Sequence, residues 1–298
     1  SNLFVSFCGP AIIAPAMNDG MYANPAVKAN IEKMKQRGVE FIEPVYGELA
    51  CGSVGQGRLA EPGDLLQAVN GRLSVENDLS GFRILVTAGP THEALDPVRY
   101  ITNPSSGKMG YAVACAARDR GAAVTLVSGP TRLPVPDGVH FMPCRKAIEM
   151  NDLVHRQFPD CDVLVMSAAV GDFAPMQIEK EKIKKKGSTP LVLELVPTED
   201  ILQNVVKLKT RQFVVGFAAE SENLTQSALE KLRNKKLDLI VANDISAPGI
   251  GFQSDFNQVT LINKHEELQK LPLLSKIEIA HRLLNEILIL LHKSGRNS

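Results

Sequence analysis

The sequence has no excess of charge of either sign: 33 Lys and Arg stand against 33 Asp and Glu. No global field therefore favours nucleic acid or an anionic membrane, and any charge-based binding must be local. The five cysteines, Cys8, Cys51, Cys115, Cys144 and Cys161, form no CxxC pair and are odd in number. Reduced thiols in a cytoplasmic enzyme fit this better than a disulfide framework. The six histidines show no zinc-type spacing. No apolar run approaches the length of a bilayer span, and the N-terminus lacks a basic region followed by an apolar one. There is no internal repeat.

What is present is an ordinary globular composition, 44% hydrophobic and 22% charged, over a length that suits two domains with a core each. The organising stretch runs from Arg83 to Tyr111. Ile84-Leu85-Val86 has the branching of a buried parallel strand, and a turn at Ala88-Gly89-Pro90 follows. Asn103-Pro104-Ser105-Ser106-Gly107-Lys108 then opens a helical pattern. Strand, small-residue loop and helix start can form an anion site, because free N–H groups and the positive helix end face one point. A plain strand-to-helix connection has the same ingredients, and the spacing matches neither the dinucleotide fingerprint nor the Walker loop.

From residue 83 onward apolar runs alternate with helical patterns, as in a doubly wound, mostly parallel, Rossmann-like α/β sheet. Strands are predicted at Ile84–Val86, Val124–Val127, Val163–Met166, Val214–Phe217 and Leu239–Ala242, with an edge or hairpin strand at Val259–Ile262. Helices are predicted at Met109–Arg120, Ala147–Gln157, Asp200–Lys207, Leu224–Lys236 and Lys276–His292. Ligands of such sheets bind beyond the carboxyl ends of the strands. The loops there join small residues to a few polar ones: Ser128-Gly129-Pro130-Thr131, Ser167 to Phe173, Ala218-Ala219-Glu220-Ser221 and Asn243-Asp244. Small residues also let helices leave a sheet tightly, but four such loops together favour a ligand site.

Ile178–Ser188 holds five lysines between positions 180 and 186. It reads as a solvated flap, or as a cover that brings one lysine to a polyphosphate. Lys231 and Lys235 are four apart on a predicted helix and share a face, where they could hold a triphosphate.

Residues 1 to about 70 read as part of another α/β unit. Strands are expected at Ala11–Ala14 and Val39–Ile42, with a helix from Asn24-Pro25 through Ala26–Arg37, stopped by Gly38. Two loops stand out, Pro15 to Met21 and the glycine-rich Ala50 to Arg58. Cys51 in the second could be an acid, a nucleophile or a small apolar residue. Asn18 in the first is of a type common in turns. Residues 71–82 are polar, with two glycines, and are the linker candidate.

Together these motifs resemble the bacterial bifunctional family that couples phosphopantothenoylcysteine decarboxylase to phosphopantothenate–cysteine ligase in coenzyme A biosynthesis. The stretch Asp96 to Asn103, Ser105 to Gly110, the AAVGDF loop, the KIKKK run, GFAAES and ANDIS follow in the family's order. The resemblance implies a ligase domain at 73–298 that activates 4′-phosphopantothenate with CTP and Mg²⁺, forms an acyl-cytidylate, and joins it to cysteine. It implies catalytic roles for Asn103 and Lys182, and nucleotide contacts from Ser105, Gly107, Ala168, Asp172, Lys182, Asp200, Ile201, Phe217, Lys231 and Lys235. Metal ligands are not implied. Proline at 104 stands where the family pattern has arginine.

Residues 1–72 resemble the C-terminal portion of the flavodoxin-like, FMN-dependent decarboxylase. By that likeness Asn18 binds substrate and Cys51 is the proton donor. The decarboxylase part is expected to be N-terminally truncated, so that this chain neither binds FMN nor decarboxylates, while the parent protein does both. The resemblance further implies a homodimer through the ligase module, a larger homo-oligomer when the decarboxylase is complete, and a cytoplasmic location, with no nucleic-acid or membrane partner. An NAD(P)-dependent oxidoreductase is the rival reading, disfavoured because no GxGxxG follows the first strand of the larger domain. A non-catalytic nucleotide-binding protein is the other.

Overall fold

A computed structural model of the chain describes residues 11–36, 39–49, 52–73, 77–185, 190–220, 224–244, 253–293 and 295. The chain forms two compact units, Ser1–Val75 and Glu76–Ser298.

In the first unit, β1 (Ile12–Ile13) leads to a short helix α1 (Asp19–Ala23) and then α2 (Pro25–Gln36). Proline at the first position of α2 needs no N–H partner there. Strand β2 (Glu40–Phe41) pairs in parallel with β1. Strands β3 (Val45–Glu48) and β4 (Val54–Arg58) form an antiparallel hairpin, followed by α3 (Pro62–Leu73). The stretch read as a glycine-rich loop is thus partly strand. Its glycines serve close approach: a Cβ on Gly57 would lie 2.1 Å from the carbonyl oxygen of Met17, and one on Gly55 2.7 Å from Asp19 Cβ. Arg37, Gly38 and Cys51 lie outside the described residues.

The second unit begins with Leu79 and Phe82 buried in its core. Gly71–Leu73 still belong to α3. The boundary between the two units falls within the polar stretch 71–82 that was read as the linker. Strand β5 (Arg83–Ala88) precedes a hairpin of β6 (His92–Ala94) and β7 (Tyr100–Thr102), and then helix α4 (Lys108–Asp119). Next come β8 (Ala123–Ser128), β9 (His140–Pro143), α5 (Ala147–Gln157) and β10 (Val163–Met166). A second hairpin pairs β11 (Phe173–Pro175) with β12 (Leu195–Pro197). Helix α6 (Ile201–Lys207), β13 (Phe213–Glu220), α7 (Leu224–Asn234) and β14 (Leu239–Asp244) follow. The chain ends with β15 (Phe256–Asn257), β16 (Val259–Asn263), β17 (Leu268–Lys270), β18 (Leu274–Ser275) and α8 (Lys276–Lys293).

Eight strands form one sheet in the order β17-β16-β14-β13-β10-β5-β8-β9. The six from β14 to β9 are parallel, and β16 and β17 close one side antiparallel. Alternate residues of the strands feed two cores. Ile84, Val86, Val163 and Val165 meet α4 and α8 on one face; Leu85, Leu164 and Met166 meet α5, α6 and α7 on the other. Helix α8 buries Ile279, Ala280, Leu283, Leu284, Ile287, Leu288 and Leu291, the three-and-four spacing of an amphipathic face. Its start is fixed reciprocally: Ser275 N donates to Glu278 Oε2 at 3.0 Å, and Glu278 N donates to Ser275 Oγ at 3.3 Å.

The strands and helices expected from periodicity are present, with shifted ends. One shift matters: α7 ends at Asn234, so Lys235 sits in the following turn, although its N–H still reaches Lys231 O at 3.0 Å. The strand at 259–263 is a hairpin strand between β14 and β17.

Candidate active site

Strand β5 leads outward to β8 and β9, whereas β10, β13 and β14 lie on its other side. The order reverses between β5 and β10, and a crevice opens at the carboxyl ends there. The loops after these two strands are bonded together. Ala169 N donates to Gly89 O at 2.9 Å, Gly171 N to Thr91 Oγ1 at 2.9 Å, and Ser167 Oγ to Thr87 O at 3.0 Å. Thr198 continues the wall, its N–H reaching Asp172 O at 2.9 Å and its hydroxyl Gly171 O at 2.6 Å.

These segments enclose a cavity of 630 Å³, a size that suits a small-molecule or cofactor ligand. Asn103 to Gly110 form one wall, Met166 to Val170 with Asp172 another, and Thr198 to Leu202 a third. Phe217, Ala218, Lys231, Lys235, Asn243, Asn257 and Lys276 complete it. Of the residues singled out in the ligase segment, Asn103, Ser105, Gly107, Ala168, Asp172, Asp200, Ile201, Phe217, Lys231 and Lys235 line this one cavity. Lys182 does not; it is exposed.

The start of α4 is shaped by glycine. Gly107 caps the helix with φ 76°, and a Cβ there would lie 2.6 Å from Thr131 Cγ2. Gly110, one turn on, lets the helix press against the sheet: a Cβ would lie 2.6 Å from Ala88 Cβ and 2.7 Å from Ser167 Oγ. Asn103 Nδ2 donates to Val170 O at 3.1 Å, joining the loop before α4 to the loop after β10.

Charge is concentrated on two walls. On the first, Lys231 Nζ donates to Phe217 O at 2.7 Å, and Lys235 is ion-paired with Asp200. Asp200 also caps α6, accepting from Gln203 N at 2.9 Å. Burial opposes its ionisation, but Lys235, the Gln203 N–H and Lys231 outweigh that and hold its carboxyl below the usual range. On the second wall, Lys108 pairs with Asp255 at 2.6 Å beside the buried Lys276. Burial first, then Lys108, push the Lys276 ammonium down to about 8 against the pull of Asp255. Glu199 is oriented by two amides, Asn151 Nδ2 at 2.9 Å and Asn204 Nδ2 at 3.0 Å. Asn243 Oδ1 is buried and has no hydrogen-bond partner among the described residues.

In the first unit the motif loop and the hairpin are adjacent. Met17 N donates to Gly57 O at 2.9 Å, and Asn18 caps α1 by accepting from Gly20 N at 2.9 Å.

The sequence matches two family models: DNA/pantothenate metabolism flavoprotein C-terminal domain over residues 79–290, and flavoprotein over residues 3–74. It is 44% identical to the coenzyme A biosynthesis bifunctional protein CoaBC of Bacillus subtilis over 97% of this chain and 72% of that protein. The chain belongs to the DNA/pantothenate metabolism flavoprotein family. A cysteine/cysteine sulfinic acid decarboxylase from an unknown prokaryotic organism is 42% identical over 95% of the chain and 80% of its own length. The crystal structure of the C-terminal domain of a CoaBC protein superposes with a TM-score of 0.64 at 41% identity, covering 73% of this chain and all of that one.

Within this family member, the sequence reading missed Lys108, Glu199, Asn257 and Lys276 on the cavity wall. Lys276 carried one signal: a cation at the first position of a helix, where the positive helix end opposes it. Among the described residues no group of three His, Cys, Asp or Glu is placed to hold a metal alone. Mg²⁺ bound through one or two carboxylates and substrate phosphates needs no such group, and Asp172 and the amide-held Glu199 supply carboxylates to the cavity. The thiols of Cys144 and Cys161 are pushed up by burial to about 12, which keeps both protonated and inert.

Proposed function

We propose that the second unit is a CTP-dependent phosphopantothenate–cysteine ligase of coenzyme A biosynthesis. One observation carries the reading: Asn103 with Ser105–Gly110, Ala168–Val170 with Asp172, Phe217 with Ala218, and Asn243, all from the ligase motifs, line one cavity at the strand-order switch point. The whole-chain identity to CoaBC proteins supports it.

The carboxylate of 4′-phosphopantothenate attacks the α-phosphorus of CTP, pyrophosphate leaves, and the amine of cysteine then displaces CMP with loss of a proton. The chemistry needs little acid–base assistance, so positioning and charge stabilisation dominate. Lys231 and Lys235 hold the nucleotide from one wall, with Asp200 fixing Lys235. Ser105, Gly107 and the first N–H groups of α4 meet phosphate from another. Phe217, Ala168 and Ile201 enclose the apolar parts of the ligands. Asn103 orients the acyl-cytidylate. Mg²⁺ supplies charge neutralisation on the triphosphate, with Asp172 and Glu199 as the carboxylates able to hold it. Lys182 lies off the cavity wall; its long side chain would meet the charge that develops as the acyl-cytidylate forms or breaks down.

In the first unit, Asn18 binds substrate and Cys51 donates the proton in the parent decarboxylase, which would use FMN. Two hairpins of the second unit expose Val98, Tyr100, Phe173, Leu195 and Val196. A second copy of the chain covering them accounts for that apolar surface and makes the enzyme a homodimer. No described helix is long and apolar enough to cross a membrane; a cytoplasmic site of action agrees with the soluble substrates.

Pyrophosphate release measured with CTP, phosphopantothenate and cysteine tests the reading. Release that needs both CTP and phosphopantothenate is expected. Binding of CTP without release would leave a nucleotide-binding protein, and absence of CTP binding would end the proposal.

A further inference from the structure

The turn of the β6–β7 hairpin is tied to the lysine-bearing segment through one carboxylate. Asp96 is 2% exposed. Its Oδ1 accepts from Val98 N at 2.7 Å and Arg99 N at 2.8 Å, the local bonds that shape such a turn. Its Oδ2 has another use. It accepts from Ile183 N at 3.0 Å, across 87 positions of sequence, and from Arg99 Nη1 at 3.2 Å. Arg99 Nη1 also donates to Ile183 O at 2.9 Å. Both backbone polar groups of Ile183 are thus held by the Asp96–Arg99 pair, and Glu179 N adds a bond to Leu95 O at 2.9 Å. Burial opposes ionisation of Asp96, but the N–H groups of Val98, Ile183 and Arg99, with the Arg99 guanidinium, keep its carboxyl below the usual range. The carboxylate therefore stays ionised, and its bonds charge-assisted, throughout the neutral range.

Local turn geometry accounts for Oδ1 but not for Oδ2. Ile183 lies between Lys182 and Lys184, so the attachment fixes the chain one residue from the lysine assigned to the reaction. We propose that Asp96 is a positioning residue for the ligase reaction: its carboxylate pins the backbone at Ile183 and thereby sets where Lys182 can reach. This rests on the role given above to Lys182. A long lysine side chain has many rotamers, and restricting its anchor narrows the volume its ammonium samples.

The test uses the full chain with Asp96→Asn and, separately, Ile183→Pro. The first replaces one acceptor oxygen with an amide donor; the second deletes the N–H from the other side and leaves the hairpin intact should the first fail to fold. Hydrogen exchange in residues 178–185 should rise about 10-fold in the ligand-free protein. The turnover number should fall about 10-fold or more, with the CTP KM changed less than about 3-fold. In a Lys182→Ala background, Asp96→Asn should add less than about a 2-fold loss, because the two act in series. Wild-type exchange or wild-type turnover in the variants would overturn the proposal, as would losses that multiply in full. A wild-type chain that released no pyrophosphate would instead overturn the functional reading, and this proposal with it.

Discussion

Lys108 donates to Asp255 at 2.6 Å, and that pair stands beside the buried ammonium of Lys276 on the cavity wall. Both lysines open helices, so their charges add to the positive ends of α4 and α8. An anion in the cavity relieves this concentration of positive charge.

Affinity for CTP should therefore fall as pH rises through about 8, where Lys276 loses its proton. A bound phosphate that raises this pKa by one unit makes the fall about 10-fold. Calorimetric titrations at pH 7 and 9.5 measure it, and Lys276→Met should flatten the profile. The ligand-free protein behaves oppositely. Its folded-state value lies below the ordinary 10.5, so burying the ammonium costs stability below about pH 8, and that cost fades as pH approaches 10.5. Lys276→Met should raise the ligand-free melting temperature at pH 7.

Gly110→Ala should destabilise the second unit by about 1–3 kcal/mol, the usual range for overpacking. The added methyl meets Ala88 Cβ, Ser167 Oγ and Thr87 O within 2.8 Å, and two of these are on rigid sheet. Urea denaturation measures the loss; an unchanged midpoint would mean that α4 can shift without penalty.

Lys182→Ala should lower turnover far more than CTP affinity. The side chain is exposed and off the cavity wall, so the proposed role is in turnover and not in holding CTP. Single-turnover rates set against CTP dissociation constants separate the two, and equal losses would refute the role.

Cys51→Ser should leave pyrophosphate release within about 2-fold of wild type, the scatter expected of a substitution that shares no partner with the reacting groups. Its assigned chemistry is protonation in decarboxylation, not ligation. A large loss would show that the two activities are coupled.

The parallel strands of the second unit were legible because each is a short, branched, apolar run buried on both faces, as at Val163–Met166. The β6–β7 and β11–β12 hairpins were not. Strand β12 is exposed at every position, and β6–β7 encloses a turn built on Asp96, so neither leaves a burial pattern to read. Strand β9, at the sheet edge, ends in proline and has no fully buried residue. Most of the cavity was legible because loops at the carboxyl ends of parallel strands must converge, whatever their separation in sequence.

By itself, the sequence determined the alternation of strand and helix, and the small-residue loops at the strand ends, because those depend on local spacing and residue type. Of these loops Ser128–Thr131 alone stays off the cavity wall. Only the tertiary structure decided which distant groups meet. The β15–β18 pairing returns the chain so that Asn257 and Lys276 reach one wall, and Asp96 takes hold of Ile183 across 87 positions. Such contacts follow from register and packing of whole elements, which no local pattern encodes.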